Sequence, residues 1–326
     1  MTRTKKHVCV NVLLVVVCLG ALASKAYAGY RIRSVRIAGE RYLLLKDVAG
    51  FYGMRYRNAR NHASLTSKYS RLEFRKNRRQ ATINGVQVYL SHACGRWRDE
   101  LAVSKVDFQL VLEPLLRSKT ISSRPIKRIV IDPGHGGKDP GAQNSHTDEK
   151  DITLAVAKRL YSELKKYGYR VYLTRTDDEF RSLNGRAALA GRARADVFVS
   201  LHANAVAATQ VHGIESYVLT PEGTPSTYAN ATRSESSPGN AYDTENTRLA
   251  FEIQRGLIRA TGARDRGTKH ANFAVLRNVP SAAVLVEMGF LTNPGEAKKL
   301  RSPSYQRRIA LGIARGVRSF HQAVAQ

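Results

Sequence analysis

Two histidines and two glutamates carry the chemistry that this sequence offers. His135 lies in Asp132-Pro133-Gly134-His135-Gly136-Gly137, directly after the apolar run KRIVID at 127–132, and His202 follows Val197-Phe198-Val199-Ser200-Leu201. Both therefore emerge at the carboxyl end of a buried-strand pattern, the edge where open α/β sheets collect their ligands. Glu149 opens a helical segment, where the helix dipole favours a carboxylate. Glu287 closes the run Ala283-Val284-Leu285-Val286, and a carboxylate there is expensive to bury without a partner or a task. Taken singly, each has a plain alternative: a glycine turn around a structural histidine, a capping charge, a buried ion pair. Taken together, two histidines and a carboxylate make a three-ligand zinc set with an open fourth position, and a second carboxylate can handle a proton.

The elements that must position these residues alternate between apolar strands and amphipathic helices. That pattern predicts an α/β fold with an open, mostly parallel sheet flanked by helices. Strands are expected at 127–132, 169–174, 197–201, 214–219, 273–276 and 283–286, and helices at 179–194 and 244–261. Ile152, Val156, Leu160 and Leu164 recur every four residues and mark one helix face; Ile309, Ile313 and Val317 mark the last. The polar stretch 221–246 reads as a mobile surface loop.

Upstream the texture differs. Residues 29–117 form a smaller, strand-rich α+β domain, 118–127 a linker, and 128–326 the catalytic domain. Ala81-Thr82-Ile83, the Asn84-Gly85 turn and Val86-Gln87-Val88 spell a β-hairpin. Leu43-Leu44-Leu45 is echoed by Leu101-Ala102-Val103, each ahead of a short helix. This arrangement resembles the N-terminal-like domain of copper amine oxidases, which implies a wall-binding or spacing module with no copper chemistry.

Residues 1–28 read as an export signal: Arg3, Lys5 and Lys6 in a positive head, an apolar run from Val8, and the small-x-small site Ala26-Tyr27-Ala28. Export to the periplasm, the cell envelope or the extracellular space follows. Cys9 and Cys18 fall inside that signal, so Cys94 has no partner for an internal disulfide and reads as a small buried hydrophobe. The formal charge is +27, and cleavage removes four of 53 basic residues and none of the 26 acidic ones. A mature chain this positive calls for an acidic partner. For an exported protein that partner is an anionic wall or envelope polymer, and nucleic acid is not expected.

Competing signatures are missing from the sequence: G-x-S-x-G, H-E-x-x-H, C-x-x-C and the P-loop do not occur, and Asp139 interrupts the glycine run as a dinucleotide fingerprint. Five stretches then carry a specific resemblance: IVIDPGHGGKDPGA at 129–142, EKDITLAVA at 149–157, LTRTDD at 173–178, FVSLHANA at 198–205 and AVLVEMGFLTNPGEAKKL at 283–300. They resemble, in order, the type 3 family of zinc-dependent N-acetylmuramoyl-L-alanine amidases. The resemblance implies Zn2+ held by His135, Glu149 and His202, with Glu287 as catalytic acid/base and peptidoglycan as substrate. Asp132 is expected to accept the second N–H of a ligating histidine; Asn204 and Lys269 lie in matching stretches as further outer or substrate contacts. The rival reading is a catalytically inactive wall-binding or nucleic-acid-binding protein on the same fold. Because 221–246 has no apolar face at helical spacing, a helix packed over the metal is not expected there, and an activator is left open as a partner.

Overall fold

The computed structural model describes residues 31–121, 124–229, 232 and 234–325. The proposed export signal lies outside them. Among the described residues no helix is long and apolar enough to cross a membrane.

In the N-terminal half, strands β1 (Ser34–Ile37) and β2 (Glu40–Leu44) pair with β8 (Gly95–Trp97) and β9 (Glu100–Ser104) in a four-stranded sheet. The echoed apolar segments are neighbours there, because Leu43 faces Val103 across the antiparallel β2/β9 pair. Helix α1 (Leu45–Phe51) follows β2. Five further strands form an antiparallel meander: β3 (Arg55–Ala59), β4 (His62–Thr66), β5 (Arg71–Arg75), β6 (Gln80–Ile83) and β7 (Val86–Tyr89). The Asn84-Gly85 turn closes the expected hairpin, with Ile83 paired to Val86 and positive φ at both turn residues, 50° and 82°. These dihedral signs suit a two-residue hairpin turn. Cys94 is buried, and burial pushes its thiol up to about 12, which leaves it unreactive.

The second half supplies β10 (Arg128–Pro133), the short β11 (Gln143–Asn144) and β12 (Thr147–Asp148), β13 (Arg170–Leu173), β14 (Val197–Asn204), β15 (Ile214–Leu219), β16 (Asp265–Ala271) and β17 (Ala282–Phe290). Sheet order is β13-β10-β14-β17-β15-β16. Pairing is parallel throughout except between β15 and β17, so the expected mostly parallel α/β sheet is present. Helices α2 (Glu149–Lys166), α4 (Asp243–Thr261) and α7 (Pro303–Val324) cover one face. Ile152, Val156, Leu160 and Leu164 point into that core, as do Ile309, Ile313 and Val317. The opposite face carries α3 (Leu183–Arg192) and α5 (Ala274–Arg277), and α6 (Pro294–Arg301) follows β17.

The two halves share one sheet. Thr268 on β16 pairs in parallel with Val88 on β7, so the meander continues the sheet to eleven strands. Phe251 of α4 enters the core of the N-terminal half, and Arg248 donates to the Pro114 carbonyl at 3.0 Å.

Two local expectations are corrected. Residues 273–276, expected as a strand, lie at the start of α5, and the strand is instead Asp265–Ala271 (DRGTKHA). Its polar sequence hides it, because Thr268, Lys269 and His270 are buried, and Lys269 is paired with Glu215, which sequence periodicity does not register. The stretch 221–246 is also no uniform mobile loop. Thr224 and Thr227 are buried, Thr227 N–H donates to the His270 carbonyl at 2.8 Å, and 243–246 already belong to α4.

Candidate active site

The carboxyl ends of β10, β14 and β17 converge with the start of α2. At the end of β10 the Pro-Gly-His-Gly-Gly turn leaves His135 at φ 61°, followed by Gly136 at 127° and Gly137 at 57°. A non-glycine residue held in the left-handed region is uncommon and gathers at functional sites. The turn aims the ring at α2: His135 Nε2 lies 3.2 Å from Glu149 Oε2, and His202 Nδ1 lies 2.9 Å from Glu149 Oε1. Glu149 also accepts from the Ala142 and Ala203 amides at 2.9 Å each. Two glycines make room for this cluster. A Cβ on Gly134 would sit 2.6 Å from His202 Nε2, and one on Gly141 2.6 Å from His135 Cδ2.

One ligand atom from each of His135, Glu149 and His202 lies within 4.8 Å of the others. Such a set can hold a metal ion. Burial alone would raise the Glu149 carboxyl, but the two histidines outweigh it and hold it well below the carboxylate range. Burial likewise depresses His135, and Glu149 with Asp139 outweighs it, so that imidazole sits above its usual range.

Glu287 is the Cα register partner of His202 across the parallel β14/β17 pair. Its Oε2 is buried without a hydrogen bond among the described residues. Burial, then the charges of Glu149 and Glu215, push its carboxyl well above the usual range, against the pull of Lys269. A cavity of about 420 Å³ opens over His135, His202 and Glu287. Phe180, Leu183, Phe273 and Val275 give it an apolar wall, with Arg181 at the same rim.

Of the remaining expected residues, Asp132 borders the same cavity but makes other contacts than expected. Asp132 does not accept from a histidine; its oxygens take Arg186 Nη1 at 2.7 Å, Thr174 Oγ1 at 2.6 Å and Ser200 Oγ at 2.8 Å. Arg186 in turn donates to the His135 carbonyl at 2.8 Å, so Asp132 acts on the site through that arginine. The second nitrogen of His135 pairs with Asp139 at 2.9 Å. Sequence reading passed over Asp139; its place four residues after His135 in the same glycine turn was the available signal. Asn204 ends β14, where its carbonyl accepts from Leu291 at 2.8 Å. Lys269 pairs with Glu215 at 2.7 Å. Neither Asn204 nor Lys269 is among the described residues lining the cavity.

The family model for N-acetylmuramoyl-L-alanine amidases matches residues 129–319, well over half of the chain. The chain belongs to this amidase family. Its amidase region is 37% identical over 196 residues to the uncharacterized protein YqiI of Bacillus subtilis, covering 60% of this chain and 85% of that protein. It is 37% identical over 195 residues to the B. subtilis N-acetylmuramoyl-L-alanine amidase LytC, covering 60% of this chain but 35% of LytC. With the amidase AmiC of Neisseria meningitidis the identity is 35% over 223 residues, 60% of this chain and 53% of AmiC. Among solved structures, an N-acetylmuramoyl-L-alanine amidase from Clostridium difficile superposes with a TM-score of 0.52 at 37% identity, over 60% of this chain and 97% of that one.

Proposed function

We propose that this chain is an exported, zinc-dependent amidase that hydrolyses the bond between the lactyl group of N-acetylmuramic acid and L-alanine in peptidoglycan. The observation that carries the reading is the convergence of His135, Glu149 and His202 beside the buried, unpartnered Oε2 of Glu287. Two imidazoles and one carboxylate suit zinc, and Gly134 and Gly141 leave the space that the cluster needs. Names of relatives such as LytC and AmiC support the same substrate class.

Bound zinc would lower the pKa of a coordinated water toward about 7 and polarise the scissile carbonyl. The chain's own residues supply the rest. The charge of a bound metal would favour the ionised form of Glu287; Glu287 then takes the proton of the attacking water and returns it to the departing L-alanine nitrogen, so one carboxylate serves as base and then acid. Asp139 holds His135 in one ring orientation through Nδ1, leaving Nε2 toward the metal side. The strongly basic surface is read as a contact for anionic wall polymers, a contact that weakens as salt rises.

The test is digestion of purified sacculi by the mature chain with and without zinc. New L-alanine amino termini, appearing only with metal, are expected. New reducing sugar ends without new L-alanine amino termini would overturn the assignment.

A further inference from the structure

Lys269 is the anomaly from which this inference starts. Its side chain has no exposed surface and is held between Glu215, at 2.7 Å, and the Tyr228 hydroxyl. A buried ammonium is destabilising unless fully partnered. Here three aromatic rings add to the partners, with centroids 4.8 Å (Tyr228), 5.3 Å (Tyr89) and 5.6 Å (Tyr217) from Nζ. Such ring faces attract a cation. Tyr89 belongs to the N-terminal half, on the last strand before the joint with β16.

The cap over Lys269 needs an anchor. Tyr228 is 68% exposed, so burial does little to hold it. Arg79, also from the N-terminal half, donates to the carbonyls of Ser226 at 2.9 Å, Thr227 at 3.1 Å and Pro225 at 3.2 Å. Its Nε is fixed to the Leu90 carbonyl at 2.8 Å. A planar guanidinium can serve four carbonyls in one geometry; an ammonium cannot. On the other side Thr227 is tied to the His270 backbone. Beyond Lys269 the path continues to Glu215, which also holds Arg266 and Tyr217 and is the cross-strand partner of Glu287.

We infer that the N-terminal half is a positioning part of the catalytic centre: Arg79 and Tyr89 hold Tyr228 over Lys269, and Lys269 fixes Glu215 beside Glu287. The catalytic consequence rests on the reading of Glu287 as the base. Arg79 is a positioning residue, more than twenty residues ahead of the linker expected at 118–127. Loss of the strut would let water reach Lys269 and loosen the carboxylate that neighbours Glu287.

The test uses the full chain, with Arg79→Ala, Tyr228→Ala and the double variant. Lys269 is labelled with an amine-acylating reagent and quantified by mass spectrometry, alongside zinc content, kcat and KM on a soluble muropeptide. Lys269 should be protected in the unaltered chain and labelled in both variants. kcat should fall about tenfold with zinc content and KM retained, and the double variant should be no worse than the more severe single one, as expected of residues on one path. Arg79→Ala with normal zinc, normal kcat and a protected Lys269 overturns the inference, as does ready labelling of Lys269 in the unaltered chain. If Arg79→Ala does not fold, Tyr228→Ala decides, since that side chain is mostly exposed. Should the unaltered chain expose no new L-alanine amino termini, the amidase reading has failed, while the labelling arm still reports on the strut.

Discussion

His202 and Glu287 sit side by side on adjacent parallel strands, Cα register partners at the carboxyl edge of the sheet. One ring reaches toward Glu149 while the neighbouring carboxylate keeps an oxygen free of partners. On the proposed reading, the sheet would separate holding a metal from moving a proton by a single strand spacing.

Their variants should accordingly part company. His202→Ala removes one of the three proposed metal ligands, so zinc content and turnover are expected to fall together. Glu287→Gln should keep zinc and lose turnover, because a proton-transfer group is typically worth about 100-fold or more. Atomic absorption on both purified variants checks this, and zinc loss in Glu287→Gln would make that residue a ligand.

Asp139 meets His135 Nδ1 at 2.9 Å, while Nε2 of the same ring faces Glu149. Asp139→Ala should weaken zinc affinity by about 10–100-fold, the usual effect of removing such a partner. Competition against a chromophoric chelator measures it. Unchanged affinity would mean that the turn alone orients the ring.

The Asp132–Arg186 pair is buried at both ends, with side chains 0% and 4% exposed. Asp132→Ala strands the guanidinium and should destabilise the fold by roughly 3–5 kcal/mol. Urea unfolding with chelator present in both samples isolates this from metal linkage. A loss under about 1 kcal/mol would show that water or the Pro133 and His135 carbonyls suffice for Arg186.

His270 gives the stability a pH dependence with a definite sign. Burial, helped by the nearby Arg79 charge, lowers its imidazole from 6.5 to about 4. The unfolded chain takes up this proton near pH 6.5 and the folded chain only near 4. The contribution is therefore complete above pH 6.5 and lost as pH falls toward 4, amounting to roughly 3 kcal/mol. Melting curves of the native chain and His270→Gln should converge across that window; parallel curves would refute the assignment.

The sequence by itself determined where the reactive residues emerge. Apolar runs ending in His135, His202 and Glu287 mark β10, β14 and β17, and the four-residue spacing of Ile152 to Leu164 marks the buried face of α2. Asn84-Gly85 fixed a hairpin, because a two-residue turn with positive φ selects those residues. Hydrophobic periodicity reports such features because burial of apolar side chains is local to each element. It could not report β16, whose buried Lys269 depends on Glu215, far along the chain. Nor could it choose Asp139 over Asp132 as the partner of His135, since both lie within four residues of it and only the turn's dihedrals decide. The joining of β7 to β16, which brings Arg79 and Tyr89 to the edge of the catalytic half, is likewise a matter of tertiary structure. Backbone hydrogen bonding between two polar strand edges leaves no mark on either sequence, because every residue offers the same donor and acceptor.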